Sequence, residues 1–214
     1  MAKVTRKSKY TKPITNNRLF RILIKQAIAI RSLTKIKNQH LVEEWLRKYS
    51  DYIYDENTPL TTEELKRMGK YKAGDIIYAE FGFNVGREHG GSHYAVVIEN
   101  NEMSSAMIMV VPLSSLPPDK TEADVFRLDV YLGEIPELNA ISHALDGTQS
   151  VAVINQMRAI SKRRIIAPKT NKQKRLYLEG TVLEKIYNEI ANRYTKHGIK
   201  RTHRVKNIAE TLEK

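Results

Sequence analysis

The sequence predicts an α+β protein in which a helical N-terminal extension precedes a small antiparallel β-barrel and a C-terminal helix. Three observations support this prediction. Apolar residues recur at helical spacing before residue 70, short β-rich segments follow between residues 75 and 154, and helical spacing returns after residue 180. We therefore expect a basic extension over residues 1–70, a barrel domain over residues 71–195 and a basic tail over residues 196–214.

The helical prediction for the extension depends on its apolar periodicity. Residues mostly three, four or seven positions apart share one face of a helix. The apolar residues with this spacing are Leu19, Leu23, Ile30, Leu33, Leu41, Trp45 and Tyr49. Thr61 and Glu64 then have the spacing of a capping box, which predicts a short helix that runs to Met68.

The middle of the chain changes to short segments rich in Val, Ile, Tyr and Phe, which favour strands. Gly, Pro, Asn and Asp separate these segments, as expected of antiparallel strands joined by turns. The five predicted strands are 75–81, 94–99, 106–113, 125–131 and 150–154. Closing such short strands into a barrel removes their exposed edges, so a barrel or strongly curled sheet is expected.

The predicted C-terminal helix begins at a second capping box, formed by Thr181 and Glu184. The apolar residues that follow at helical spacing are Val182, Ile186, Ile190 and Tyr194. Gly198 is predicted to end the helix. We expect its apolar face to cover the sheet.

The net charge of +12 is distributed unevenly along the chain. Residues 1–50 hold 13 basic and 2 acidic residues, and residues 161–214 hold 15 and 5. Residues 51–160, in contrast, hold 8 basic and 17 acidic residues. Basic flanks predict a polyanionic partner, either nucleic acid or anionic lipid, although a surface that serves only solubility has the same composition.

Composition excludes several classes of function. The chain has no cysteine, which excludes disulfides, thiolate catalysis and cysteine-ligated metals and permits a reducing, cytoplasmic location. The histidines are scattered, so we expect no metal and no cofactor. No apolar stretch approaches the ~20 residues that span a bilayer, so no membrane partner is expected. Residues 1–42 have the composition of a mitochondrial transit peptide, but the same helical pattern continues through Glu43 and Trp45.

A strand, a glycine-rich loop and a second strand occupy residues 74–98. Gly86, Gly90 and Gly91 allow positive φ and close approach to a ligand. The side chains around them are Arg87, Glu88, His89 and His93, which together suit a phosphodiester. The alternative to a phosphodiester site is a β-hairpin whose polar side chains bind no ligand. We expect His89 to be a solvent-facing loop residue rather than a second catalyst, and Asp75 to be a structural carboxylate at the start of the strand.

Three segments of the chain, the first of which runs from Gly74 to Tyr94, resemble the MazF/PemK toxins. Gly74-Asp75-Ile76 and Val85-Gly86-Arg87-Glu88-His89-Gly90-Gly91-Ser92-His93-Tyr94 are similar to that family's Gly-Asp-Val/Ile and Val-Gly-x-Glu-x-Gly-Gly-x-Arg-Pro. Val110-Val111-Pro112-Leu113-Ser114-Ser115 is similar to its Val-Pro-Leu-Thr-Ser, and Gln156-Met157-Arg158-Ala159-Ile160 to its Gln-x-Arg-x-Ile. The three motifs occur in the family's order between Tyr71 and Tyr194.

The resemblance implies an SH3-like, CcdB-like barrel that forms a homodimer. It also implies a metal-independent endoribonuclease that cuts single-stranded RNA, chiefly mRNA, at short sequences and is neutralised by a polypeptide antitoxin. In this family the 2′-hydroxyl attacks the adjacent phosphorus. That reaction needs a proton acceptor, a proton donor and cations around the phosphorane. DNA lacks the 2′-hydroxyl, so we do not expect it to be cut.

The resemblance also carries site residues over by position. His93 occupies the place of the family's catalytic Arg, Ser114 that of a phosphate-holding Thr, and Arg87 supplies a cation from the loop. These three residues are the predicted catalytic group. The predicted RNA-binding residues are Glu88, Gly90, Gly91, Ser92, Gln156 and Arg158.

Two departures from the family pattern leave alternatives open. His93 replaces Arg and Tyr94 replaces Pro. An imidazole can transfer a proton near neutral pH, but it lacks the permanent charge and bidentate grip of a guanidinium. The chain is then either a working enzyme or a catalytically weakened relative that binds nucleic acid, DNA included, or inhibits DNA gyrase as CcdB does. A third interpretation sets the resemblance aside and favours a basic, helical RNA-binding or ribosome-associated protein.

Overall fold

The computed structural model describes residues 17–33, 39–56, 69–169 and 173–195. The chain divides into two compact units between Arg47 and Lys48. The predicted capping-box helix that ends at Met68, the predicted helix end at Gly198 and the basic tail lie outside the described residues.

The described residues of the extension form two helices, as its periodicity predicts. Helix α1 is Asn17–Leu33 and helix α2 is Gln39–Glu56. The Gln39 side-chain amide donates a hydrogen bond of 3.0 Å to the Arg31 carbonyl, which connects the start of α2 to the last turn of α1. Within the described residues, no helix has the length and apolarity needed to cross a bilayer.

Among the described residues after α2, the strands form one antiparallel sheet of eight members. They are β1 Asp75–Glu80, β2 Ser92–Val97, β3 Met107–Leu116, β4 Val130–Glu134, β5 Gln149–Ala152, β6 Arg158–Ser161, β7 Ile165–Ala167 and β8 Leu176–Tyr177. Their order is β4-β5-β3-β2-β1-β7, with β6 paired to β3 and β8 paired to β1. The predicted α+β class, with N-terminal helices, an antiparallel sheet and a C-terminal helix, is confirmed.

Strand β3 organises the sheet because it is long enough to pair with three other strands. Its first half pairs with β6, where Ile108 lies opposite Ile160. Its second half pairs with β5, where Ser114 lies opposite Val151. Its other edge pairs with β2 from residue 110 to residue 112. This arrangement brings the second and third family motifs to the same sheet.

Side chains alternate between the two faces of the strands and form two cores. The first core contains Tyr71, Ile77, Ala79, Phe81, Ala95, Val97, Ile108, Val110, Ile160 and Ile165. The second core contains Ile76, Val96, Val111, Leu113, Leu132, Leu138, Ala152, Ile154, Leu178 and Ile186. The first core ends at the loop between β1 and β2, and this end carries the candidate site.

Two further helices flank the sheet: α3, Pro136–Ser142, and α4, Gly180–Tyr194. Val182, Leu183, Ile186 and Ile190 of α4 pack against the second core, which confirms that this helix covers the sheet. The predicted capping box at Thr181 is wrong. Helix α4 begins at Gly180 with Glu179 as its N-cap, two residues before the predicted cap, and the Glu179 carbonyl closes the first turn without a side-chain cap.

Candidate active site

The glycine loop, residues 82–91, joins β1 to β2 and is closed tightly at its base. The Gly91 N–H donates to the Gly82 carbonyl at 2.6 Å, and the Phe81 N–H donates to the Gly91 carbonyl at 2.7 Å. Gly91 has φ of +75°, and a Cβ on Gly90 would lie 2.7 Å from the Gly82 oxygen. Gly90 and Gly91 are therefore required for the loop to close.

His93 lies beside this closure, on β2 opposite Ala79. Its Nε2 is 2.7 Å from the Gly90 carbonyl oxygen. A carbonyl can only accept a hydrogen bond, so Nε2 carries a hydrogen and donates it. In the neutral imidazole, Nδ1 then holds the free lone pair. The edge of the ring also contacts Phe81, at 6.3 Å between centroids, which anchors it on the first core.

His89 packs against His93, with the ring centroids 4.5 Å apart and the planes at 59°. The expectation that His89 faces solvent is wrong, because its half-buried ring lies between the loop and His93. Burial lowers the pKa of His89, and the neighbouring His93 and Arg158 lower it further, to about 4. His89 is therefore neutral at pH 7.

The late motif holds the main chain of His89 in place. The Gln156 Oε1 accepts a hydrogen bond from the His89 N–H at 3.2 Å. The Arg158 Nη2 donates to the His89 carbonyl at 3.3 Å, and Asn84 donates to the same oxygen at 2.5 Å. Arg158 also donates to Gln156 and stacks 5.4 Å from the centre of the Phe81 ring. Sequence reasoning did not assign Gln156 and Arg158 this supporting role.

Arg87 and Glu88 are exposed in the loop. The Arg87 carbonyl accepts a hydrogen bond of 3.5 Å from the Gln156 side-chain amide, so its main chain belongs to the same cluster. The Ser92 hydroxyl points to the other side of the loop base, where it donates to Glu80 Oε2 at 2.9 Å.

Ser114 is exposed near the end of β3. The last β2–β3 pair is Ala95 with Pro112, and two residues further along each strand lie His93 and Ser114. Because side chains alternate, both residues face the side of the sheet that carries the first core. Within the described residues, no hydrogen bond joins the Ser114 hydroxyl to either histidine. The structure thus brings His89, His93, Gln156 and Arg158 into contact and leaves Ser114 at the same end of the sheet.

A buried carboxylate supports the base of the loop. Glu80 is 3% exposed, and it accepts hydrogen bonds from Lys48 Nζ at 2.8 Å, the Gly82 N–H at 3.0 Å and the Ser92 hydroxyl. Burial alone raises the pKa of Glu80, but these hydrogen bonds outweigh it and hold the pKa below its usual value. Sequence reasoning missed Glu80, whose only signal was an acidic residue two positions before the glycine loop.

The chemistry of the cluster is that of imidazole and guanidinium. In the part of the chain that the structure describes, no three His, Asp or Glu side chains come close enough to hold a metal ion.

Fold and site together define a small α+β domain that presents two imidazoles, a guanidinium and a glycine-rich loop at one end of its sheet. Residues 72–192 match the model of a family described as the PemK-like, MazF-like toxins of type II toxin–antitoxin systems. The match covers more than half of the chain. The chain belongs to this family, as its three motifs predict.

Solved structures similar to this chain include MazF from Deinococcus radiodurans, at 15% identity over 57% of this chain and 94% of that one, with a TM-score of 0.40. A mycobacterial endoribonuclease in complex with its cognate antitoxin is 12% identical over 56% of this chain and 91% of that one, with a TM-score of 0.38. No curated protein matches the chain significantly.

Proposed function

We propose that this chain is a metal-independent endoribonuclease toxin that cuts single-stranded RNA by attack of a 2′-hydroxyl on the adjacent phosphorus. One observation carries the proposal. The imidazole of His93 is held against the glycine loop through Nε2, which leaves Nδ1 available at the position where the family has its catalytic Arg. Membership of the toxin family supports the same conclusion.

In the proposed reaction, the 2′-oxygen forms a bond to phosphorus while the bond from phosphorus to the 5′-oxygen breaks. His93 transfers a proton in this step through Nδ1. The hydroxyl of Ser114, on the same side of the sheet, holds the scissile phosphate, and the exposed Arg87 supplies positive charge to the phosphorane. The products are a 2′,3′-cyclic phosphate and a 5′-hydroxyl.

The RNA strand is proposed to contact the loop and the late motif. The residues concerned are Glu88, Gly90, Gly91, Ser92, Gln156 and Arg158. Gln156 and Arg158 already hydrogen-bond to the loop, so their contribution includes fixing its shape. The basic flanks of the chain add a sequence-independent attraction that salt weakens.

We further propose that the protein acts on mRNA in the cytoplasm as a homodimer and that a polypeptide antitoxin neutralises it. These proposals follow from membership of a type II toxin–antitoxin family.

A second candidate function is a catalytically weakened relative that binds nucleic acid or inhibits DNA gyrase. The observation that favours it is the engagement of Arg158, whose guanidinium is shared between His89, Gln156 and Phe81. The Arg158 guanidinium is therefore not free to supply the positive charge that the family's Arg provides at the position of His93.

The test is incubation of the purified protein with single-stranded RNA in excess EDTA, followed by analysis of the fragment ends. We expect cleavage with 2′,3′-cyclic phosphate ends, and its loss in His93→Ala and Ser114→Ala. His40→Ala, at an exposed position on α2, is the matched control and should cut normally. Binding without cleavage, or inhibition of gyrase, would favour the second candidate.

A further inference from the structure

His89 in the glycine loop and His93 at the start of β2 differ in which of their ring nitrogens form hydrogen bonds. His93 uses Nε2 to donate to the Gly90 carbonyl, so its chemistry passes through Nδ1. In the described part of the chain, no hydrogen bond engages a ring nitrogen of His89, and the contact it makes is ring to ring with His93. In neutral His89, one ring nitrogen therefore has a lone pair that accepts no hydrogen bond from the described residues.

The main chain of His89 is fixed more firmly than an ordinary loop residue requires. Its N–H is held by Gln156, and its carbonyl is held by both Arg158 and Asn84. These supports come from β6, from the turn before it and from the loop itself, and they fix the main chain from which the imidazole projects, while the ring itself packs against His93. Such positioning is what a proton-transfer group needs.

We propose that His89 is a second catalytic residue, which accepts the proton of the 2′-hydroxyl while His93 donates a proton to the leaving 5′-oxygen. This inference rests on the proposed ribonuclease function. The O–H bond of the 2′-hydroxyl breaks and its proton moves to a lone pair of His89. The 2′-oxygen bonds to phosphorus, the bond from phosphorus to the 5′-oxygen breaks, and that oxygen takes the Nδ1 proton of His93. One proton is accepted and one is given, so no further reactant is required.

The electrostatics of the pair support this division of roles. The charged or titratable groups that act on His89 are His93 from β2 and Arg158 from β6. Both disfavour a positive charge on His89, and burial adds to their effect, which keeps His89 in the neutral form that a base requires. In this step His93 acts with a hydrogen on each ring nitrogen, because Nε2 donates to the Gly90 carbonyl while Nδ1 gives its proton to the leaving oxygen.

The test compares two substrates with the full-length wild type, His89→Gln and His93→Gln. The first substrate is ordinary RNA, and the second has sulfur in place of the leaving 5′-oxygen, because a thiolate leaves without needing a proton. On ordinary RNA, each substitution should lower kcat by about 10²- to 10⁴-fold. On the sulfur substrate, His93→Gln should recover most of its loss, whereas His89→Gln should recover none.

The pH profile distinguishes catalysis from a merely structural role. Cleavage of the sulfur substrate by the wild type should fall at acidic pH as His89 is protonated, and His89→Gln should lack this acidic limb. His40→Gln, at an exposed helical position, is the matched control, and thermal melting verifies that each variant is folded.

Undiminished cleavage of RNA by His89→Gln, or recovery of His89→Gln on the sulfur substrate, would overturn the role of His89 and leave the ribonuclease proposal standing. If the wild type itself cuts neither substrate, both proposals fail.

Discussion

Strand β1 begins and ends with a buried carboxylate, and the two have different surroundings. Asp75, 1% exposed, pairs with Arg175 at 2.6 Å and accepts the Lys72 N–H at 2.9 Å. The Arg175 guanidinium also lies 4.9 Å from the centre of the Tyr71 ring. Glu80, at the other end, accepts hydrogen bonds from Lys48, from the Gly82 N–H and from the Ser92 hydroxyl. Gly82 and Ser92 lie at the two ends of the glycine loop.

Buried carboxylates thus serve two purposes in one strand. The partners of Asp75 lie on segments that close the domain around β1, and none of them is a predicted site residue. Two partners of Glu80, Gly82 and Ser92, lie at the two ends of the loop that carries His89 and leads into His93 on β2. Substitutions at the Asp75 end should therefore affect stability, and those at the Glu80 end should affect activity as well.

The largest effect is expected from Arg175→Met. This change leaves the Asp75 carboxylate buried without its cation, which typically costs about 3–5 kcal/mol. Urea unfolding should show the loss, and the activity of the molecules that remain folded should be unchanged. A loss below about 1 kcal/mol would mean that the pair has no structural role.

Glu80→Gln should have a smaller effect on stability and a larger one on activity. The amide keeps the size of the side chain but removes the charge, and replacing a charged acceptor costs about 1–3 kcal/mol. We expect kcat for RNA cleavage to fall because the loop base loosens. Glu102→Gln is the matched control, since that side chain is 74% exposed and its loss should change stability by about 0.5 kcal/mol or less. Equal kcat values in the two variants would contradict the proposed difference between the ends of β1.

Acid should lower the stability of the folded protein through protonation of His89. The folded-state pKa of His89 is about 4, below its ordinary value of 6.5, because burial, His93 and Arg158 oppose protonation. Between these values the unfolded chain binds more protons than the folded one, so stability present above pH 6.5 is lost as the pH falls towards 4. Urea unfolding at several pH values should show a shallower decline in His89→Gln than in the wild type. Identical slopes would show that His89 is not buried as described.

Lys48→Met should have the smallest effect. The Lys48 side chain is 29% exposed, and Glu80 keeps its hydrogen bonds from Gly82 and Ser92. The expected loss is about 1 kcal/mol or less after allowance for solvent screening. A double-mutant cycle with Glu80→Gln measures the coupling directly. A loss larger than that of Glu80→Gln would show that Lys48 has a role apart from this ion pair.

Local sequence patterns predicted the parts of the fold that depend on local chemistry. Alternation and β-branched residues predicted β1, β2, β3 and β5 to within a few residues. The fourth strand was predicted too early, because a 3-10 turn at Glu122–Asp124 and the hydrogen bond from the Asp129 N–H to Phe126 occupy that segment. Strands β6, β7 and β8 have two to four residues each and exist through pairing with distant strands, so no local pattern indicated them.

The candidate site shows the same division. The glycine loop and His93 were predicted because their motif is contiguous. The contacts of His89 were not predicted, because the residues that hydrogen-bond to its main chain, Gln156 and Arg158, are 67 and 69 positions away in the sequence. The environment of Glu80 likewise depends on Lys48, 32 residues earlier. Spacing within a motif cannot indicate contacts that only the folded sheet creates.

The proposed 2′-hydroxyl attack can be tested most directly with a pair of RNA oligonucleotides that differ at one atom. One carries a 2′-hydroxyl at the nucleotide before the cut, and the other carries hydrogen there. We expect the wild type to cut the first, to leave the second intact at that position and to bind both. Cleavage of the deoxy-substituted strand at the same bond would contradict the proposed mechanism.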